Sequence, residues 1–428
     1  MSRWQWIFRQ LARRLWLRAT LIGALGVGAA VLATLAERFF PEPLAFDMGA
    51  DAVDSILSII ASSMLAVTTF SISVMTSAFG AATSNVTPRA TKLLMQDRTT
   101  QNVLSTFIGS FIFSIVGIIV LKAGAYGPQG RVVLFIVTIA VIMLVVGTLM
   151  GWIDHLTRLG RVGETTERVE AVTLSAINSR LTHPCLGGVP LRSKIALPET
   201  SPAVRAEATG YVEHIDVAEI ADCAEMLDSD IFLAVVPGAF VYPDTPLAHV
   251  VDRKASEGDE DDEDAFEAAL DRVRRAVSIG HERSFDQDPR FGLAVLSEIA
   301  MRALSPAVND PGTAIDVIGR CARLLILWAE GETKAEEIEV RYPRVHVPAL
   351  DTADLFDDAF RLVARDGARQ IEVQMRLQKA LRALSQVGDT AFREAARHQS
   401  RLALERAETE MTMDADKEML RAMVNSPP

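Results

Sequence analysis

Four apolar runs occupy roughly the first 155 residues, and one of them is patterned differently from the rest. Leu21 to Phe40, Val103 to Leu121 and Val132 to Trp152 are built mainly from aliphatic residues, alanine and glycine. Each is about the 20 residues that a helix needs to cross a hydrocarbon core. The run from Asp51 to Gly80 is as long but carries hydroxyl side chains at helical intervals. At about 100° per residue, Ser55, Ser58, Ser62, Thr69, Ser73, Thr76 and Ser77 fall within one stripe roughly 100° wide, with Ala66 filling its gap. At about 1.5 Å per residue the stripe runs roughly 33 Å, the depth of a bilayer core. Two roles fit it: lining a water-filled path, or packing against neighbouring helices through small side chains whose hydroxyls bond to backbone.

Beyond these runs the pattern turns amphipathic and charged. A polar helix is predicted to continue from the fourth run through LTRLGRVGETTERVEAVTLSAINSRL without a strong breaker, followed by a loop rich in Gly and Pro up to about residue 200. Residues 204–251 hold the strand-like segments AEATGYVEHI, IFLAVV and LAHVV, with PGAF and YPDTP as turns and a short helix from Ile215 to Leu227. This stretch resembles small barrel-sandwich modules of lipoyl or biotinyl type, without an acceptor lysine in the expected hairpin, so a spacer or assembly role is expected of it. RYPRVHVP reads as a basic edge strand. Asp351 to Leu384 and Thr390 to Met423 have helical periodicity around a turn at Gly388 and Asp389, forming a hairpin or an oligomer seam.

Charge orients these elements. Before the first run, Arg3, Arg9, Arg13, Arg14 and Arg18 alternate with Trp4, Trp6, Phe8, Leu11, Leu15 and Trp16, the character of a basic amphipathic helix on an inner membrane surface. A cleaved signal peptide would have a shorter basic region and a better cleavage site than the sequence around Leu35 and Ala36. Glu37, Glu42, Asp47, Asp51 and Asp54 make the next connection acidic, whereas Arg89, Lys92 and Arg98 follow the hydroxylated run. Positive charge in short loops marks the inside, which predicts four spans in a bacterial inner membrane with both termini cytoplasmic. The 428 residues, 49% hydrophobic yet 23% charged, fit a membrane part joined to a soluble one. The expected organisation is an amphipathic segment at 1–20, four spans over 21–155, a connection at 156–200, a β-rich module at 201–253 and a mainly helical cytoplasmic domain at 254–428. In fold class this is an α-helical membrane domain plus a cytoplasmic α+β domain with a barrel-sandwich-like module and C-terminal helices.

Composition also narrows the chemistry. A net charge of −12 argues against nonspecific nucleic-acid binding. Cys185, Cys223 and Cys321 stand apart, with neither a disulfide framework nor zinc spacing, so no metal is expected. No nucleotide loop, metalloprotease motif, nucleophile elbow or kinase set occurs, and neither an enzymatic activity nor a cofactor is expected. The acidic run around Asp259 to Asp264 lacks EF-hand spacing and reads as a helix start. No ionisable residue lies mid-span, which speaks against proton coupling; a passive pore needs none.

The densest polar motif is GHERSFDQDPRFGLAVLSEIAMRALSPAVNDPGTA, from Gly280 to Ala314. Asp288, Ser305 and Asp310 each precede a proline and are expected to cap helices. Capping leaves Arg283, Asp286, Gln287, Arg302 and Asn309 unexplained, and these form the candidate ligand or subunit contact. Together with TPRATKLLMQDRTTQNVLSTFIGSFIF, from Thr87 to Phe113, and with GYVEHID and PGAFV, this motif is similar to a bacterial family of predicted inner-membrane proteins, domain-of-unknown-function family 2254. The similarity covers nearly the whole chain in the same order. Thr87 and Ala307 stand where Ser and Gly are commoner, and the acidic linker is elaborated. The resemblance implies N-terminal membrane helices plus a cytoplasmic domain, and transfers no reaction or catalytic residue. Two functions remain open: an oligomeric channel or pore for an inorganic ion, with the hydroxylated span lining the path in a homo-oligomer, and a membrane-anchored scaffold or sensor.

Overall fold

The computed structural model describes residues 50–95, 97–126, 128–191, 201–251, 260–335 and 339–425, together with the helical positions Thr20, Ala24, Val27 and Gly28. The expected amphipathic segment, the run from Leu21 to Phe40 apart from Ala24, Val27 and Gly28, and the acidic linker before residue 260 lie outside the described residues. The chain divides into a membrane unit, Ile7–Ser84 with Thr91–Glu164, and a soluble unit, Thr165–Pro428 with Asn85–Ala90.

In the membrane unit, α1 (Ala50–Asn85) and the short α2 (Pro88–Met95) precede α3 (Arg98–Lys122) and α4 (Pro128–Arg158). Among the described residues three of these helices, α1, α3 and α4, are long and apolar enough to cross a membrane. Of the three, α3 is the most enclosed, with over half of its apolar stretch buried. Val53 and Leu57 of α1 pack with Phe113, Leu121 and Leu134, and Ile60 and Met64 pack with Val103, Phe107, Val145 and Trp152. At the centre of the second cluster the Trp152 indole N–H donates to Ser71 Oγ at 2.9 Å. Asp97 caps α3 through the Thr100 amide and holds His155 Nε2 at 2.9 Å, so the end of α4 is fastened to the start of α3. The fourth run does not continue unbroken: α4 stops at Arg158, and the chain turns through Gly160, at φ +81°, before α5 (Val162–Thr182).

Among the described residues the soluble unit holds eight strands in two open sheets and no barrel. After a 3-10 turn at Pro184–Gly187 come β1 (Gly188–Leu191), β2 (Ala203–Arg205), β3 (Gly210–Ile215), α6 (Val217–Met226), β4 (Asp230–Leu233), β5 (Phe240–Val241) and β6 (Pro246–Val251). There follow α7 (Glu260–Ala276), β7 (Val277–Gly280), α8 (Pro289–Ala303), α9 (Pro311–Ala335), β8 (Tyr342–Pro348), α10 (Thr352–Asp366), α11 (Ile371–Leu384), α12 (Thr390–Glu410) and α13 (Asp414–Asn425).

The larger sheet has the order β1-β8-β4-β6-β2, and the smaller the order β5-β3-β7. The barrel-sandwich reading is thereby corrected, because the strands of residues 201–253 do not close on one another. Strand β4 takes β8 as a parallel partner, and β3 takes β7 as an antiparallel one. RYPRVHVP is corrected likewise: β8 lies inside the sheet, parallel to β1 and β4 on its two sides. Its Arg344 and His346 are matched across the sheet by Asp228 at 2.6 Å and Asp230 at 3.2 Å. The expected hairpin is four helices, since the chain breaks at Gly367 and again near Met413.

Close approach ties α5 to α8. A Cβ on Gly292 would lie 2.0 Å from Thr173 Oγ1, and Thr173 is itself buried with its hydroxyl bonded to Val169 O at 2.6 Å. Gly292→Ala is therefore expected to destabilise the soluble unit by about 1–3 kcal/mol, seen as an earlier thermal transition of the full chain in detergent. Adding Thr173→Ala should return most of that loss. In the membrane unit, Ser71→Ala leaves the buried Trp152 N–H without its acceptor and is expected to lower stability by about 1 kcal/mol, read from the same transition.

Candidate functional site

The seven hydroxyl residues proposed from the sequence occupy one exposed face of α1: Ser55, Ser58, Ser62, Thr69, Ser73, Thr76 and Ser77 are all uncovered in the single chain. The buried row Val53, Leu57, Ile60, Met64, Thr68 and Ser71 lies about 160° round the helix. Ser55, Ser62, Thr69 and Thr76 donate to the carbonyls of Asp51, Ser58, Leu65 and Ile72 at 2.8–2.9 Å, each one turn back. These hydroxyls thus spend their protons on the helix and turn oxygen lone pairs outward. Ile72 and Leu65 flank the stripe on one side, Ile59 and Phe70 on the other, all exposed.

The exposed face of α4 is different in kind. Between Ile136 and Ile153 its exposed residues are Ile136, Ile139, Ala140, Met143, Leu144, Val146, Gly147, Met150, Gly151 and Ile153, with no hydroxyl among them. One face of the unit is suited to acyl chains. The other presents a line of polar atoms.

In the soluble unit the second set of candidates divides between the two ends of α8. At its start, Asp288 caps the helix by accepting from the Phe291 amide at 3.1 Å, and Arg283 holds the same carboxylate through Nε and Nη2, each at 2.8 Å. Asp288 is almost wholly buried, and burial pushes its carboxyl above the ordinary value despite the Arg283 guanidinium and the Phe291 amide. The turn containing Gly238 lies directly over this pair, since a Cβ there would come within 2.1 Å of Asp288 Oδ2. Gln287 acts as a one-residue strand: its Oε1 accepts from the Ile215 amide at 2.9 Å and its Nε2 donates to the Ile215 carbonyl at 3.2 Å. Asp286 follows Ser284, whose Oγ accepts from the Asp286 amide at 3.3 Å.

Arg302 and Asn309 stand at the other end, separated from this group by the length of α8, roughly 22 Å. Asn309 adopts φ +48° and accepts from Gln370 Nε2 at 3.1 Å. Asp310 caps α9 through the Thr313 amide and hydroxyl, which hold its carboxyl below the ordinary value. Ser305 does not begin a helix. Its hydroxyl donates to the Arg302 carbonyl at 2.7 Å and its carbonyl accepts from the Asn309 amide, closing a turn instead.

Charged residues that the sequence reading passed over are central to the packing. Glu170 of α5 accepts from Arg320 and Arg323 of α9, each at 2.5 Å, and Arg290 of α8 joins Asp354 and Asp358 of α10. Each is an isolated charge on an amphipathic helix, and only its long-range partner distinguishes it from a solvated one. Among the described residues no cluster of His, Cys, Asp and Glu fit to hold a metal ion occurs.

Comparison with known proteins places this architecture. No solved structure matches the chain. The uncharacterized protein Rv1290c of Mycobacterium tuberculosis is 24% identical over 433 residues, which takes in 98% of this chain and 81% of the relative. The uncharacterized protein Mb1321c of Mycobacterium bovis is similar to the same extent. The family profile described as "Predicted membrane protein (DUF2254)" matches residues 12–383, and so takes in the membrane helices, both sheets and the helices through α11. The chain belongs to the DUF2254 family of predicted membrane proteins.

Proposed function

We propose that this membrane protein is a subunit of a homo-oligomeric pore in a bacterial inner membrane, with α1 lining a water-filled path for an inorganic ion. The observation that carries the reading is the hydroxylated face of α1, uncovered in the single chain while the exposed face of α4 is wholly apolar between Ile136 and Ile153. Hydroxyl oxygens lining a constriction replace part of an ion's hydration without a buried charge. Four spans, counting the run from Leu21 to Phe40, enclose too little volume for a path of their own, so several copies would surround it. In this reading α1 runs from outside to inside, both termini lie in the cytoplasm, and the soluble domain shapes the inner mouth. The protein then conducts and carries out no covalent chemistry.

A second reading, a membrane-anchored scaffold or sensor, draws on a different observation. With Ser55, Ser62, Thr69 and Thr76 bonded to their own helix, the stripe is also a seam of small side chains along which a second helix packs closely. In that case Arg283, Asp286 and Gln287 at one end of α8, or Arg302 and Asn309 at the other, would bind the partner or ligand.

Ser62→Leu and Ser73→Leu separate the two readings. For a pore, each substitution is expected to cut ion flux roughly tenfold in reconstituted bilayers with the oligomer intact, while Ile139→Ala on the apolar face of α4 leaves flux unchanged. Undiminished flux in both serine variants removes the pore reading.

A further inference from the structure

We propose that a cleft between the start of α10 and the first half of α12 binds a soluble organic phosphate through Arg397, His398 and Arg401. The cleft has a volume of about 760 Å³, within the range of small-molecule sites. Its two walls are fixed against each other. Phe392 of α12 packs edge-on to Phe356 of α10 with ring centroids 4.9 Å apart, and Gln399 Nε2 of α12 donates to Asp357 Oδ1 of α10. Helical spacing then decides what faces the opening. Glu394, His398 and Arg401 follow one another at intervals of four and three residues, with Arg397 on the flank, and all four are exposed.

The charges in the cleft do not cancel. Among the described residues, Arg397, His398 and Arg401 make no ion pair and no side-chain hydrogen bond. Asp351 is committed, since its Oδ1 accepts from the Ala353 amide at 2.9 Å, and the next acid of α10, Asp354, is held by Arg290. Among the described residues that leaves Glu394 as the uncommitted carboxylate of the lining, against an imidazole and two guanidiniums that do not lose their protons. Carboxylates are not scarce: the chain has 55 acidic residues to 43 lysines and arginines, and Glu170 matches two arginines of α9.

Arg397 and Arg401 are one turn apart, about 6 Å along the helix, so both forks reach one tetrahedral anion, and His398 beside them adds a ring N–H. A phosphate has oxygens enough for all three donors. The cleft is larger than an inorganic ion fills, and Leu350, Ala353 and Ala395 give it apolar wall for an organic body, on which Glu394 would accept from a hydroxyl or amino group. A lipid headgroup is the other source of such a phosphate. None of the lining residues is an exposed large hydrophobic of the kind that enters a bilayer, which favours the soluble source. The cleft lies wholly in the soluble unit and stands independently of the pore reading.

The test is titration calorimetry on the full chain in detergent. Adenosine monophosphate, glycerol phosphate and phenyl phosphate are the probes, with inorganic phosphate, adenosine, glycerol and phenol as controls. At least one organic phosphate is expected to bind saturably with a dissociation constant below about 1 mM, more tightly than inorganic phosphate, and the phosphate-free controls not at all. Arg397→Gln and Arg401→Gln should each weaken that binding roughly tenfold or more. Arg393→Gln, one turn earlier on α12 and outside the lining, should leave it unchanged. In a lipid arm, phosphatidic acid in mixed micelles is expected to show no binding that depends on Arg401. Failure of all three organic phosphates to bind the wild-type chain overturns the proposal, and this needs no variant to fold. So does an affinity no greater than that of inorganic phosphate, binding that survives in both arginine variants, or Arg401-dependent binding of phosphatidic acid.

Discussion

A polar group removed from water must find a partner within the protein, and this requirement shapes both units. In α1 it turns four of the seven hydroxyls of the exposed face back onto carbonyls one turn away, so that their donors are paired within the helix. In the second membrane cluster it pairs Trp152 with Ser71. In the soluble unit it sets Arg283 and a helix amide on the Asp288 carboxylate, and sends the Gln287 amide to the backbone of Ile215. Arg180 is where the rule is least well served by the visible hydrogen bonds.

The environment of Asp288 also explains why dispersed motifs belong together. ERSFDQDP supplies Arg283, Gln287 and Asp288; PGAFV supplies Gly238, which lies over the carboxylate; GYVEHID supplies Ile215, to which Gln287 is bonded. Three segments separated by tens of residues therefore build one buried polar corner. The corner has its ion pair and cap satisfied internally, which marks it first as a device for fixing α8 against the smaller sheet. RALSPAVNDPGTA serves the opposite end of that helix and does not take part.

Local signals in the sequence were read well where the structure depends on local physics. Three of the four long apolar runs are α1, α3 and α4, the hydroxyl spacing of α1 gives a true face, and Asp288 and Asp310 cap helices as their place before proline suggests. Ser305 failed because its hydroxyl found the Arg302 carbonyl, an option that the residue pair Ser-Pro does not reveal. The sheets were misread because their pairing is nonlocal: short strands near residues 204–251 look sufficient to close a small barrel, yet the partners of β3 and β4 come from Val277–Gly280 and Tyr342–Pro348. Arg290, Glu170 and Arg180 looked like ordinary helix charges for the same reason. Periodicity places a residue on a face but does not say what the face meets.

The interior position of β8 bears on how the protein is made. Strands β1 and β4 are synthesised well before Tyr342–Pro348, and in the finished sheet neither pairs directly with the other. Until β8 leaves the ribosome, each has an open edge where its parallel neighbour belongs, while the apolar helices that precede them already need a bilayer. Synthesis of the last membrane helix, which ends at Arg158, and completion of the larger sheet at Pro348 are thus separated by about 190 residues of chain. During that interval the nascent soluble unit carries two unpaired edges. Those edges stay open to mispairing until β8 completes the sheet.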